Sequence, residues 1–433
     1  MLDKFFKLKQ CGTDIKTEII AGITTFLTMS YIIVVNPAIL STEGTGMSFN
    51  GVLFATVLVC SICTLIMGLY ARLPYALAPG MGINAFFTYT LILTMKIPWQ
   101  TALGIVFISG VLFILLTVSG IRDLIVKSIP QSLRLAIAGG IGLFISFIGL
   151  KNSGMIVDNP ATLVGLGNLH DIKVILFLIG LFATSYLVIK QVKGALLLGI
   201  LFTTILGMIW GVTKFPEQLV SIPDATSVFL KLDIMSVFSL SILPALFTLL
   251  FTDLFDSIST FIGVSQSSPC LLDENGEPKN MRQGLLVDAI ATLSAGLFGS
   301  SSGTAYIESA AGVREGGRTG LTAVVVGLLF LPFMFFSPLL SAIPDFATAP
   351  ALVIVGVFMI NGVQKINFID LEEAIPAFLA LILIPLTYSI TQGITWGFVS
   401  YTLLKVLTGK YKEVHLMMYI ISLALLIILF GVR

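Results

Sequence analysis

The chain has 433 residues, of which 56% are hydrophobic and 11% charged, with a formal net charge of +1. Soluble domains carry roughly 25% charged residues, so this composition, with a mean hydropathy of +1.03, excludes a water-soluble globular protein. The near-neutral balance also argues against a nucleic-acid or acidic partner. Apolar runs of about 17 to 25 residues recur along the whole length, each able to cross about 30 Å of hydrocarbon as a helix. The expected fold is an all-α polytopic membrane protein, a bundle and not a barrel, with the lipid bilayer as its surroundings.

The start, Met-Leu-Asp-Lys-Phe-Phe-Lys-Leu-Lys, lacks the short apolar core and small-residue cleavage site of a signal peptide. The first set of expected spans runs at roughly 18–40, 51–71, 74–93, 100–120, 132–152, 172–190 and 194–212. After a longer polar connection, the second set runs at roughly 238–262, 284–299, 304–313 with an extended lead-in, 319–343, 349–364, 371–389 and 393–409. A stretch at 415–431 is left over, either an extra span or a helix lying against the bundle. Cys60 and Cys63 fall inside an apolar helix with no histidine nearby and are read as packing; with Cys11 and Cys270 they are too scattered for a disulfide framework.

Lys and Arg accumulate on the cytoplasmic side of membrane proteins. With the amino terminus inside, that side receives Lys4, Lys7, Lys9, Lys16, Arg72, Arg122, Lys127, Arg134, Lys190, Lys193, Lys279, Arg282, Arg314, Arg318, Lys365, Lys405, Lys410 and Lys412. Only Lys96, Lys151, Lys173, Lys214, Lys231 and Arg433 stay outside. The localisation expected is a cell (plasma or inner) membrane, multi-pass, with a cytoplasmic amino terminus.

The two sets of seven read as a repeat. Span three opens with Pro79, Gly80 and Gly82, and span ten with Gly299, three serines and Gly303, so each set carries an interrupted helix at its third position. An odd number of crossings makes the repeats inverted, and paired interruptions of this kind point to a transporter's binding site. Non-helical backbone at membrane depth is tolerated only where protein buries it or a cavity hydrates it.

Span eight contains Asp253 and Asp256, three residues apart and so on one helix face, with Ser257 and Thr260 extending the polar stripe. A charge at the bilayer centre costs at least about 2.5 kcal/mol, so such residues face the interior and mark ion or proton paths. Glu308 lies near the first turn of the half-helix after Gly303, where a carboxylate can accept hydrogen bonds from the ring N–H groups of a neutral heterocycle. Asn84, on the matching half-helix of span three, both donates and accepts, or serves as a backbone cap. Tyr306, Phe86 and Phe87 offer faces for stacking a planar ring, packing being the rival role. His170 and His415 lie in a loop and at a span end and are assigned no chemistry. The Gly139-Gly140-Ile141-Gly142 run lets helices pack closely, within one protomer or in a homodimer.

Ala78-Pro-Gly-Met-Gly-Ile-Asn84-Ala-Phe-Phe87, Phe251-Thr-Asp-Leu-Phe-Asp-Ser257, Ala305-Tyr-Ile-Glu-Ser309, Gly316-Gly-Arg-Thr-Gly-Leu-Thr-Ala323, and Gly22-Ile-Thr-Thr-Phe-Leu-Thr-Met-Ser-Tyr31 with Asn36-Pro37 resemble the adenine/guanine/hypoxanthine permease branch of the nucleobase–cation symporter family. The resemblance covers nearly the whole chain. It implies a 7+7 inverted-repeat transporter with short strands in segments three and ten. A core domain of segments 1–4 (residues 1–125) and 8–11 (236–345) would move against a gate domain of segments 5–7 (126–235) and 12–14 (346–433). By matched position, Asp253 and Glu308 look like the residues that bind the base and Asn84 like the segment-three polar contact. Gly303 departs from the pattern, which has threonine there.

The expectation is therefore a secondary active transporter, not an enzyme, that imports purine bases with protons, sodium not being excluded and no other cofactor implied. Asp253, Glu308, Asn84, Tyr306 and Phe86 would bind substrate; Asp253, Asp256 and Glu308 would couple the proton. The alternatives are another nucleobase, xanthine or uracil, or a small anion. Glu308 would repel an anion at a half-helix amino end. A channel or membrane enzyme is disfavoured, since no metal-ligand spacing, nucleophile motif or nucleotide loop is present.

Overall fold

A computed structural model describes residues 2–120, 128–239, 242–274 and 276–431, with side chains as far as 427. Arg122, Lys127 and Arg433, used above for orientation, lie outside the described residues. Fourteen segments run back and forth as two sets of seven, the second inverted relative to the first. Among the described residues seven helices are individually long and apolar enough to cross a membrane. The other segments are shorter or carry more polar side chains.

Segment one is broken: Ile15–Met29 and Ile32–Leu40 are separate helices with Ser30 and Tyr31 between them. Segment two, Phe49–Ala71, widens into π-helical turns at Val59–Cys63 and Met67–Ala71. In segment three the strand Leu77–Pro79 leads into a helix, Met81–Ala85, that continues as a π-helix to Thr94. Segments four to seven are Trp99–Ser119, Gln131–Asn152, Ile172–Ile189 and Ala195–Ile209. A small hairpin pairs Ile156–Asn159 with Leu163–Leu166 between segments five and six.

Segments eight and nine are Leu243–Ser265 and Met281–Phe298. Segment ten repeats the pattern of segment three: a strand, Gly303–Ala305, then a short helix, Ser309–Arg314. Segment eleven, Gly320–Phe330 with a 3-10 turn to Phe335, ends earlier than the sequence suggested, because Phe336 breaks it before a separate short helix, Ser337–Ser341. Segments twelve to fourteen are Asp345–Ile360, Leu371–Thr387 and Ile390–Leu407. The leftover stretch is a helix, Leu416–Gly431, packed on segments fourteen and eight, with Met418, Ile421 and Leu425 buried and the Ser422 hydroxyl 2.8 Å from that of Thr402.

The two interrupted segments meet. Their strands pair antiparallel with Leu77 opposite Ala305, Ala78 opposite Thr304 and Pro79 opposite Gly303. Gly80 N–H to Ser302 O and Tyr306 N–H to Ala76 O, both 2.9 Å, extend the ladder at its two ends. All six strand residues are buried, so each half supplies the hydrogen-bond partners that extended backbone at this depth requires.

Small residues set the helix spacing. A Cβ on Gly303 would stand 3.0 Å from Val59 Cγ1 and 3.1 Å from Ala291 Cβ, so a side chain there would press on segments two and nine. The Gly139-Gly140-Ile141-Gly142 run packs within the protomer: Gly139 faces Val363 and Leu381, Gly140 faces Ile384 and Gly142 the carbonyl of Gly356. Segment five thus lies against segments twelve and thirteen, while segment four lies against segment nine.

Candidate functional site

The strand ladder gathers the polar residues that the apolar runs cannot place against lipid. Segment eight passes beside it. Asp253 is fully buried and accepts the hydroxyl of Thr292 at 2.7 Å and that of Ser302. One turn on, Ser257 and Thr304 bring their hydroxyls to 3.0 Å, tying segment eight to the strand of segment ten. Asp256, on the same helix face, is only half-buried, and its Oδ2 lies 3.6 Å from where a Cβ on Gly80 would be. That places a carboxylate at the amino end of the segment-three helix, where free backbone N–H groups point.

Segment ten contributes Glu308, half-buried at the start of its short helix. The Tyr31 hydroxyl, from the break in segment one, donates to Glu308 Oε1 at 2.8 Å. The Tyr306 hydroxyl donates to Pro79 O at 2.6 Å, so its ring lies across the ladder. Asn84 is fully buried, its Oδ1 accepting the Ser301 hydroxyl and its backbone N–H bonding Gly80 O at 2.8 Å. Phe86 and Phe87 are wholly buried among packed side chains. Of the residues singled out in the sequence, Asn84, Asp253, Asp256, Tyr306 and Glu308 surround the paired strands, and Phe86 lies behind them in the continuation of the segment-three helix.

Sequence reasoning missed three contributors. Asp288, buried in the middle of segment nine, accepts the Ala305 N–H at 3.0 Å, and its charge and that of Glu308 reach Asp256. A carboxylate inside an apolar run was the available signal, the same one that marked Asp253. Tyr31 and Asn36 carried no such signal, being neutral. The Asn36 amide donates to Thr56 Oγ1 at 2.7 Å and Ser300 Oγ at 3.0 Å, fixing the lead-in to segment ten.

The arrangement is a preorganised set of acceptors. Asp253 and Asp288 hold the ladder from behind, while Asp256 and Glu308 remain partly open beside two half-helix starts.

Residues 16–429 match the permease family. This chain belongs to that family. The permease is 50% identical over 422 residues to a permease of Methanocaldococcus jannaschii, covering 97% of this chain and 96% of that one. It is 44% identical to the adenine permease AdeP of Escherichia coli, over 98% of this chain and 94% of the relative. It is 42% identical to the guanine/hypoxanthine permease PbuG of Bacillus subtilis, over 96% of each. Among solved structures, the transmembrane domain of the cyanobacterial bicarbonate transporter BicA superposes with a TM-score of 0.68 at 16% identity, covering 88% of this permease and 96% of that chain. SLC26A9 superposes at 0.63 and 9% identity, covering 94% and 68%. These two likenesses concern the fold alone.

Proposed function

We propose that this permease imports a purine nucleobase, hypoxanthine, guanine or adenine, together with a proton. The observation that carries the reading is Glu308: a half-buried carboxylate, oriented by Tyr31 and set beside the ladder, in a chain whose relatives AdeP and PbuG are named for adenine and for guanine and hypoxanthine. A neutral purine offers ring N–H donors to a carboxylate and acceptor nitrogens to neighbouring amides. Asp256 is the second open carboxylate, and Asp253 stands behind it in a network with Thr292 and Ser302. In this reading Glu308, Asn84 and the Asp253 side of segment eight hold the base, Tyr306 lines its plane with Phe86 packed behind, and Asp253, Asp256 and Glu308 carry the proton.

Movement is proposed as alternating access. Segments 1–4 and 8–11 form the body that carries the ladder, and segments 5–7 and 12–14 form the body it moves against. The close packing of segment four on nine, and of segment five on twelve and thirteen, supports that division. The basic residues of the face on which the chain begins support a cytoplasmic amino terminus in a cell membrane. An anion, as the likeness to a bicarbonate transporter would suggest, is disfavoured by the charges of Asp256, Asp288 and Glu308 around one site.

The test is uptake of radiolabelled hypoxanthine, guanine, adenine and uracil by cells lacking their own transporters, with and without a protonophore, for wild type and Glu308→Gln. Protonophore-sensitive purine uptake that Glu308→Gln abolishes is the expected result. Absence of accumulation of any base, with the protein present in the membrane, overturns the substrate. Uphill, pH-driven uptake retained by both Asp253→Asn and Asp256→Asn overturns the coupling.

A further inference from the structure

A polar cavity that shares no lining residue with the ladder lies on the face where the chain begins. It measures about 610 Å³ and is walled by the start of segment five (Ser128–Ser132 and Arg134), Glu373 of segment thirteen, Tyr401 of segment fourteen, and Lys412, Glu413 and His415. Cavities of about 300–1,000 Å³ are of a size to hold a small molecule or headgroup. Transport as proposed above makes no use of it.

Three observations say what chemistry it suits. Segment five is a 22-residue helix whose amino end, after Pro130, has no side-chain cap, leaving its first N–H groups free toward the cavity. Ser132, only 5% exposed, has a buried hydroxyl with no hydrogen-bond partner among the described residues, and the buried Nε of Arg134 likewise has none. A phosphate supplies the acceptors that these donors lack.

The walls also carry carboxylates, and they decide between kinds of phosphate. Lys405 holds Glu413 at 2.8 Å and Glu372 at 2.9 Å, and Lys410 holds Glu372 at 2.9 Å. Glu373 stands outside this chain of ion pairs. Arg134 and Lys412 on the walls suit the phosphate, whereas Glu373 on the same walls would repel a second negative charge and attract an ammonium group. The surroundings are apolar: Ile369 is 93% exposed, Leu371 65% and Leu416, next to His415, 71%. Such side chains at the end of membrane helices lie at the lipid boundary, and basic pockets between helix ends at that level are suited to lipid headgroups.

We propose that this cavity seats the phosphoethanolamine headgroup of a phospholipid. The phosphate would bond Arg134, Ser132 and the amino end of segment five, the ammonium would face Glu373, and the acyl chains would run onto Leu371 and Leu416. Lipid occupancy would brace the segment five to segment thirteen contact from one face.

The permease, purified in detergent and stripped of lipid, is incubated with dioleoyl phosphatidylethanolamine, phosphatidylcholine or phosphatidylglycerol, and retained lipid is counted by native mass spectrometry. Phosphatidylethanolamine should be retained preferentially. Arg134→Gln should lower retention of both zwitterionic lipids, and Ser132→Ala should do so more mildly, which keeps the test open if Arg134→Gln does not fold. Glu373→Gln should remove the preference for the primary amine over choline and spare retention of phosphatidylcholine. Equal retention of all three lipids by wild type, or a preference for phosphatidylglycerol, overturns the proposal. So does full displacement of the lipid by soluble O-phosphoethanolamine, which would make the ligand a soluble one.

Discussion

The Tyr31 hydroxyl and Glu308 Oε1 are 2.8 Å apart, joining the break in segment one to the start of the segment-ten helix. A hydrogen bond to a charged group is worth about 1.5–3 kcal/mol. Tyr31→Phe keeps the ring and removes the donor, so apparent substrate affinity is expected to fall roughly tenfold, the equivalent of about 1.4 kcal/mol, with protein levels unchanged. Concentration-dependent uptake measures this; an unchanged KM would mean that Tyr31 does not orient Glu308 for binding.

Glu18 explains the Gly316-Gly-Arg-Thr-Gly320 stretch, one of the motifs that carry the resemblance. Its fully buried carboxylate accepts the N–H groups of Arg318 at 2.8 Å, Thr319 at 3.4 Å and Thr322 at 3.1 Å, and the Thr322 hydroxyl at 2.6 Å. A side chain of segment one thus caps the amino end of segment eleven. Glu18→Ala leaves several donors buried without a partner, at about 1–3 kcal/mol each. Thermal melts in detergent should show a marked loss of stability, with Glu18→Gln intermediate because one oxygen acceptor survives.

Gly303→Thr introduces a side chain whose Cβ would stand 3.0 Å from Val59 and 3.1 Å from Ala291. Overpacking of this kind costs about 1–3 kcal/mol. Lower thermal stability is expected, relieved when Ala291→Gly opens the facing side. Stability equal to wild type would show that segment nine yields without cost.

Asp288 offers a test that separates shape from charge. Asp288→Asn keeps an oxygen for the Ala305 N–H, now 3.0 Å from Oδ1, while Asp288→Ala orphans it at a cost of about 1–3 kcal/mol. The asparagine variant should reach the membrane at near-normal levels and the alanine variant should not, as judged by quantitative membrane immunoblot.

On the face opposite the chain's start, Tyr388, at the end of segment thirteen, closes the space between segments three and five. Its ring lies 5.3 Å from Phe144, 5.5 Å from Phe147 and 6.4 Å from Tyr89, and its carbonyl accepts the Thr90 hydroxyl at 2.9 Å. Tyr388→Ala is expected to increase labelling, by a membrane-impermeant maleimide added on that face, of a cysteine replacing Thr88. Unchanged labelling would show that the aromatic cluster does not seal that side.

The sequence exposed the frame because lipid enforces it: apolar length gave the segments, and Pro79, Gly80 and Gly303 gave the two interruptions that turn out to pair. Asp253, Asp256 and Glu308 were visible as charges where charge is costly. What stayed hidden depended on distance in space. Nothing in one dimension distinguishes Asp253, enclosed by Thr292 and Ser302, from Asp256, left half-open one turn later. Tyr31 and Asn36 belong to a motif of the resemblance, but no role for them shows until segment one is seen to break beside Glu308. The boundary of segment eleven was misjudged because the apolar run continues through Phe336, although Pro332 and Pro338 flank the break.

The shared ladder also bears on how such a chain can be made. The strand Leu77–Pro79 belongs to the first half, and its partner, Gly303–Ala305, is synthesised only after six further segments. Until then the backbone groups of Ala78 and the carbonyl of Pro79 have no strand to bond, whereas Leu77 is held within the first half by the Thr64 hydroxyl at 2.9 and 3.1 Å. In hydrocarbon each such unmet group costs several kcal/mol. Nascent segment three must therefore wait in a watery or protein-lined shelter, and release of the first half into lipid is tied to arrival of the second.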